Sequence, residues 1–549
     1  MPFALKNVLV VASEFEPFTG IGHIGRVIAK LSASLSSRAD IRVAVPMYRS
    51  IPDAFKRSAS LLHEFDASIG RRQYNCKVYG ALCEGVPLYL VAAGGYFDMD
   101  DVYTSVCGDI ERFSCFCDAV LKMLPLIDFR PDIVQCHDWP CSYVPILHKA
   151  SQGREMPQSG FSTLFVIHSM QYQGICSRYD MLDLLDLPSE FFTYATLEFY
   201  GQANSLKGGL LFSDKLVTVS ESFAAEIQHS YYGENLEGII RTRSSDLSGI
   251  LCGIDTAAYD PATDKRIAVN YTDADAAYKK ARNKLRLQEE LKLDQNADTP
   301  LILIVSDAFD YDKGMELVQY VFDGIVATGA QVVFARRGKD VDFHGFFVSK
   351  ASEMPGRVAY ADMRCAIGGD AGCEDSDRVC GRSGGGSGGG AGGGAGGNAG
   401  GGSGGNAGGG VGGDTGGEDG GDAGVAVEVS ETLCFAGADM FLRPSRIEPC
   451  GDNHLIAMRY GAIPIVRETG GLKDVVVPLD DEKGIGNGFS FYNYNAHEML
   501  YTIHRAIATY RDNPTAWGRL LASAMAVNVP WAKTADMYAK LYDSMCDKS

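Results

Sequence analysis

The chain has 549 residues, 46% of them hydrophobic, which is enough for two or more domains. Its net charge is −19, from 50 basic and 69 acidic side chains, and no basic patch interrupts that balance, so nucleic acid and anionic membrane surfaces are excluded as partners. The fifteen cysteines lack CxxC pairs and His-flanked metal spacing, so they read as free thiols in a reducing compartment. Met1 leads almost directly into an apolar strand, with no transit segment, signal peptide or apolar span of membrane length, and a cytoplasmic location is expected. A plastid address would require further residues at the N-terminus.

Val8–Ala12 predicts a buried strand, followed by the Gly-rich turn Gly20-Ile21-Gly22-His23-Ile24-Gly25. An amphipathic helix from Arg26 to about Ser37 and a strand over Ile41–Pro46 complete a βαβ opening of doubly wound type. By letters the turn fits a dinucleotide fingerprint, but Arg42-Val43-Ala44-Val45-Pro46 has no acidic residue to hold a ribose, and NAD is rejected. Strand and turn follow over Gly85–Ala92 and Tyr96–Asp101, and the DxD within Phe97–Asp101 reads as structural. A helix runs from Asp109 to about Leu126. Pro131–Trp139 predicts a strand whose end carries His137 and Asp138, and Phe165-Val166-Ile167-His168 ends another. Ligand groups gather at the carboxyl ends of parallel strands, so two histidines at two such ends beside an aspartate indicate a site.

Asp275–Leu291 reads as a charged linking helix, and Pro300–Val305 opens a second βαβ set. Asp312-Lys313-Gly314 precedes a helix, where a cation can meet a phosphate. Gln331–Phe334 and Arg357–Tyr360 continue the alternation until a Gly-rich run from about 362 to 424, whose composition cannot bury a core. That run is expected to be a disordered surface loop between two strands, with no activity of its own. The stretch Ala436–Asp474 then carries the densest signals. Strand Met440–Leu442 enters a turn marked by Pro444, Pro449 and Gly451. A short helix presents Leu455, Ile456, Met458 and Tyr460, and strand Ile463–Val466 leads to Thr469-Gly470-Gly471 at the start of a further helix. Glu448 lies in a turn where a carboxylate can face a cleft, and Thr469–Gly471 offers backbone N–H groups to an anion.

SRIEPCG, AMRYG and TGGLKD at this spacing resemble the sugar-nucleotide half-site of the bacterial glycogen synthase and plant starch synthase family. SEFEPFTGIGHIGRV, PDIVQCHDW, the strand ending in His168, Tyr172-Gln173-Gly174, GILCGID and the closing WAKTADMYAKLY extend the resemblance over nearly the whole chain apart from the Gly-rich run. The resemblance implies an α/β fold with two Rossmann-like doubly wound domains facing a cleft, the GT-B arrangement. Residues 1–270 would form the acceptor-side domain, 271–299 the linking helix, and 300–530 the nucleotide-sugar domain interrupted by 362–424. Residues 531–549 would form a helix crossing back to the first domain. It also implies glucose transfer, with retention, from ADP-glucose or UDP-glucose (ADP-glucose favoured) to the end of an α-1,4-glucan such as glycogen or starch. No metal or cofactor is called for.

Carried over by motif, Glu448, His168, Asp138 and Lys313 form the catalytic set. Glu448 would bind the glucose hydroxyls and stabilise the cationic sugar, and His168 would lie against the reacting carbon. Cys450 and Gly451 would present N–H groups to the sugar, and Lys313 would hold the diphosphate with the backbone of Thr469, Gly470 and Gly471. Gly20 and Gly22 belong to the donor-phosphate loop. His137, Asp138 and Tyr172 would line the acceptor side, while Tyr460 and Arg467 are expected to be packing and surface residues. The chain departs from the family at several points: the loop lysine is Gly20 and the loop aspartate Arg26, the arginine of VSRL is Asp307, one residue is inserted before Lys313, the asparagine of LNGID is Cys252, and a glutamine beyond EPCG is His454. Arg26 and Arg336 or Arg337 are the cations offered as replacements. The alternative reading is a weakened or non-catalytic copy that binds glucan or a synthase partner.

Overall fold

The computed structural model describes residues 5–19, 23–99, 101–151, 160–306, 311–337, 343–364 and 427–546. Gly20, Gly22, Asp307 and nearly all of the Gly-rich run lie outside them. Among the described residues no helix is long and apolar enough to cross a membrane.

The first body is built on strands β1 (Asn7–Val11), β2 (Asp40–Pro46), β3 (Ser60–Ile69), β4 (Arg72–Cys83), β5 (Val86–Ala93), β6 (Ile133–His137), β7 (Ser162–Ile167), β8 (Ile175–Cys176), β9 (Glu198–Phe199), β10 (Gln202–Asn204), β11 (Lys215–Thr218) and β12 (Leu247–Gly249). Nine of them form one sheet in the order β12-β11-β7-β6-β1-β2-β5-β4-β3. All its pairings are parallel except those of β4, which runs antiparallel to β3 and β5. The β3–β4 hairpin is an addition to the expected elements, turning at Gly70, where φ is +53°. The central strands are buried along nearly their whole length and mainly apolar, as strands covered on both faces require, with Gln135 and His137 as buried polar exceptions in β6.

The second body carries β13 (Leu301–Ser306), β14 (Gln331–Arg336), β15 (Val358–Arg364), β16 (Val427–Ser430), β17 (Met440–Arg443), β18 (Ile463–Arg467) and β19 (Phe489–Phe491). Their order is β16-β15-β14-β13-β17-β18-β19, and every pairing is parallel. β15 runs through Arg364, so the regular chain continues two residues past the expected start of the insertion at 362.

Each body has its own core. Ile254, Tyr259, Ile267 and Tyr271 pack in the second core, which therefore begins well before residue 271. The linking helix Ala276–Glu290 is bound to the same body: Lys284 pairs with Asp439 at 2.6 Å, and Lys280 donates to the carbonyls of Ala436 and Tyr460 at 2.9 and 2.7 Å. Burial pushes the Lys280 ammonium down to about 7. The last helix, Trp531–Cys546, goes the other way. Ala535, Tyr538, Tyr542 and Met545 on its inner face are buried in the first core.

In both sheets the order reverses beside the first strand laid down, between β1 and β6 and between β13 and β17. Crevices at the carboxyl ends of strands form at such switch points. The residues that follow β1, β6 and β7 face those that follow β13 and β17.

Candidate active site

A cavity of about 690 Å³ lies between those strand ends. Glu14, Asp138, His168 and Tyr172 line it from the first body, and Lys313, Glu448, Cys450 and Gly451 from the second. The structure therefore brings the whole expected catalytic set to one cleft.

Glu448 is 4% exposed, yet ionised. Its Oε2 accepts from Arg443 Nε at 2.7 Å and from Ser445 Oγ at 2.8 Å, and Lys313 Nζ stands 3.4 Å from Oε1. Burial alone would raise its pKa. The Arg443 guanidinium and the Lys313 ammonium outweigh that and hold the carboxyl well below the usual carboxylate range. Arg443 ends β17 and is itself anchored on the Val305 carbonyl at 2.7 Å. It is a site residue that the motif comparison passed over.

The turn that carries Glu448 is packed against the TGG segment. Gly451 has φ +73°, and a Cβ there would stand 3.2 Å from Glu448 Oε1. A Cβ on Gly471 would stand 2.1 Å from the Cys450 carbonyl oxygen, and one on Gly470 would stand 2.0 Å from that of Glu448. The glycine pair is thus required for close backbone approach. Its N–H groups are already engaged: Gly471 donates to the Glu448 and Pro449 carbonyls at 3.2 Å, and Thr469 N–H to the Arg467 carbonyl at 2.9 Å. Gly470 N–H donates to the Glu226 carboxylate of the first body at 3.1 Å, which also accepts from Thr469 Oγ1. In this structure a carboxylate occupies the place expected for an anionic ligand. Asp474 returns the contact, accepting from the N–H groups of Glu221 and Ser222 at 2.9 and 3.0 Å. Two short helices, Glu221–Glu226 and Gly470–Val475, therefore cap each other across the cleft.

On the opposite wall Asp138 begins a one-turn helix at φ +55°, and its Oδ1 accepts from the backbone N–H of His168 at 2.7 Å. Burial pushes its carboxyl up to about 7, with the nearby Glu14 carboxylate adding to the rise. Glu14 is a second residue not singled out by motif. It accepts from Tyr103 Oη at 2.7 Å and follows β1, where the strand-end rule would have found it. His137 Nδ1 and His168 Nε2 are 2.8 Å apart. Burial drives the His137 pKa down to about 3, so that ring is neutral. His137 is not a cavity-lining residue; it lies behind His168, which does line the cavity. Tyr172, 70% exposed, stands at the mouth.

The replacement cations are differently placed. Arg26 Nη1 pairs with Asp452 at 2.6 Å, and Arg336 Nε with Asp362 at 2.6 Å. Arg337 pairs with Glu431 and donates to Asn453 Oδ1 at 3.1 Å. None of the three lines the cavity, but Asp452 and Asn453 do, so Arg26 and Arg337 reach it only through them. Lys313 and Arg443 are the cations among the described lining residues. Arg467, expected at the surface, is buried and bridges the Arg446 carbonyl at 2.6 Å to Tyr232 Oη at 3.0 Å. Tyr460 is a core residue, as expected, donating to Asp264 at 2.6 Å. Cys252 is buried in an apolar cluster with Val27, Val219 and Cys450.

Residues 7–242 match the starch synthase catalytic domain family. The glycogen synthase of Clostridioides difficile (strain 630) is 35% identical over 545 residues, covering 98% of this chain and 100% of that protein. The glycogen synthase of Anoxybacillus flavithermus is 36% identical over 543 residues, covering 98% of each. The catalytic domain of starch synthase IV from Arabidopsis thaliana, bound to ADP and acarbose, shares the fold with a TM-score of 0.77 at 23% identity, covering 99% of this chain and 100% of that one. The sucrose-phosphate synthase of Thermosynechococcus elongatus shares it at a TM-score of 0.56 and 14% identity. The fold is GT-B, and the chain belongs to the glycogen synthase and starch synthase family of glycosyltransferases.

Proposed function

We propose that this cleft transfers glucose from ADP-glucose to the non-reducing end of an α-1,4-glucan with retention. The observation that carries the reading is the buried, ionised Glu448 set between Arg443 and Lys313 on one wall, facing His168 and Asp138 on the other.

The bond from the glucosyl carbon to the diphosphate breaks, and a bond to the glucan 4-hydroxyl forms on the same face. The hydroxyl proton leaves on the departing diphosphate, which lies on that face. Lys313 offsets the charge growing on the diphosphate, and preorganised charge is worth most in a closed, water-poor cleft. Glu448 binds the glucose hydroxyls and stabilises the cationic sugar, while Arg443 and Ser445 keep it deprotonated and fix its orientation. The N–H of Gly451 serves the same sugar. Asp138, Glu14 and Tyr172 form the acceptor wall.

ADP is the nucleotide bound to the Arabidopsis starch synthase IV, and ADP-glucose is taken as the donor on that ground. Steady-state kinetics with each donor and glycogen test the choice. The expected result is a kcat/KM for ADP-glucose at least about tenfold above that for UDP-glucose, equivalent to about 1.4 kcal/mol of transition-state discrimination. The reverse order would reassign the donor.

A further inference from the structure

Behind His168 lies a line of side chains that reaches the opposite end of the chain. Tyr542, on the terminal helix Trp531–Cys546, donates its hydroxyl to Gln135 Oε1 at 2.7 Å. Gln135 Nε2 lies 2.8 Å from His137 Nε2, and His137 Nδ1 lies 2.8 Å from His168 Nε2. Tyr542, Gln135 and His137 are each 1% exposed, and His168 is 7% exposed and lines the cavity. The two imidazoles lie edge to edge, their planes 27° apart and their ring centroids 5.2 Å apart, as a hydrogen bond between ring nitrogens requires.

The chemistry of each group gives this line a direction. The Gln135 oxygen is taken by the tyrosine hydroxyl, so the amide NH₂ faces His137, and an NH₂ can only donate. His137 Nε2 must then accept, which leaves the single proton of this neutral ring on Nδ1. Nδ1–H donates in turn to His168 Nε2, and the proton of a neutral His168 is left on Nδ1. A ring nitrogen's state is set by the hydrogen bond made at the other one, and here the setting is relayed through two further residues.

We infer that Gln135 and Tyr542 are positioning residues for glucosyl transfer: through His137 they fix the tautomer and the orientation of His168 in the cleft. The terminal helix thus contributes a functional contact as well as packing. The inference rests on the proposed placement of His168 against the reacting sugar.

Two variants separate this role from simple packing. Tyr542→Phe keeps the ring in the core and removes only the hydroxyl. Gln135→Glu keeps the shape but replaces the NH₂ donor by an acceptor, which moves the His137 proton to Nε2 and forces His168 to donate from its own Nε2. Ring-¹⁵N-labelled histidine NMR of the full chain, with the His168 signals assigned by their loss in His168→Ala, reads the tautomers directly. The expected result is a proton on His168 Nδ1 in the native protein and on Nε2 in Gln135→Glu. Kinetics should show kcat lowered about 5-fold in Tyr542→Phe and about 10- to 100-fold in Gln135→Glu, with KM for donor and glucan unchanged in both. A native His168 protonated on Nε2, or native kcat in Gln135→Glu, would overturn the inference. His168→Ala separates the two levels. Native activity there would remove His168 from the reaction, whereas loss there with native activity in Gln135→Glu would refute the relay alone.

Discussion

Asp138 shows at the scale of one residue what burying a carboxyl in the cleft costs. Its carboxyl is raised to about 7 by burial, against an ordinary value near 4 in an unfolded chain. A raised folded pKa means that its contribution to stability is fully present below about pH 4, where both states hold the proton. That contribution is lost as pH rises through 7 and the folded state must ionise a buried carboxyl. Asp138→Asn keeps the acceptor for the His168 N–H and cannot ionise. Denaturant unfolding from pH 4 to pH 8 should therefore show the variant gaining on the native protein by about 2–4 kcal/mol across that range. A difference that stays flat with pH would contradict the assignment. His168, Asp138, Lys313 and Glu448 were all legible in the sequence, because each stands at a fixed place in a motif or at a strand end. Arg443 and Glu14 were not singled out, since their role depends on which carboxylate or hydroxyl the fold brings alongside them. Arg467 was misread because a charged side chain ending a strand looks solvated until its buried partners, the Arg446 carbonyl and Tyr232, are known.

At the scale of elements, the TGG segment is the clearest case of a motif whose physical role differs from the one its letters suggest. The sequence shows a helix start with free N–H groups; the fold uses those groups to hold the Glu448 turn and the Glu226 carboxylate. Gly471→Ala places a methyl 2.1 Å from the Cys450 carbonyl oxygen, and the neighbour is backbone, which cannot swing aside. The variant should lose about 2–3 kcal/mol of stability by chemical denaturation. Its kcat should fall as well, because the displaced turn carries Glu448. Unaltered stability would mean that the turn and the TGG segment are not in the contact described. The β3–β4 hairpin escaped the sequence reading for a related reason. Its exposed and half-exposed faces, with Leu61, Leu62 and Leu82 outward, blur the alternation by which strands are recognised. The buried parallel strands, being mainly apolar runs, were plain.

The two bodies meet through polar contacts and through a small apolar seam, where Cys450 packs with Val27 and Val219 and Ile447 joins the first core. Arg26 joins Asp452, Gln171 Nε2 donates to Asp312 at 2.8 Å, and Glu226 and Asp474 exchange caps. The Gly-rich run joins β15 to β16, which are parallel neighbours, and a parallel crossover needs about a dozen residues at least. Replacing residues 366–425 by a flexible linker somewhat longer than that minimum should leave glucosyl transfer within about twofold of the native rate, since loops of this composition contribute no core. A loss of transfer in a folded variant would give the run a function. The two-domain architecture was legible from the repeated βαβ pattern. The assignment of residues 254–271 to the second body was not, because a segment between two sheets has no periodicity that says which core it joins.

The most direct measurement is release of nucleoside diphosphate from ADP-glucose, with and without glycogen, by the native protein and by Glu448→Gln. Glutamine retains the shape and loses the charge that Arg443 and Lys313 hold in place. The predicted result is glycogen-dependent release by the native chain and a fall of at least about 100-fold in kcat for the variant, the size expected for removing a preorganised charge at the reacting sugar. Equal release by the two proteins would contradict the placement of Glu448 at the centre of the site. Absence of release by the native protein with either ADP-glucose or UDP-glucose, while it binds glycogen, would contradict glucosyl transfer itself.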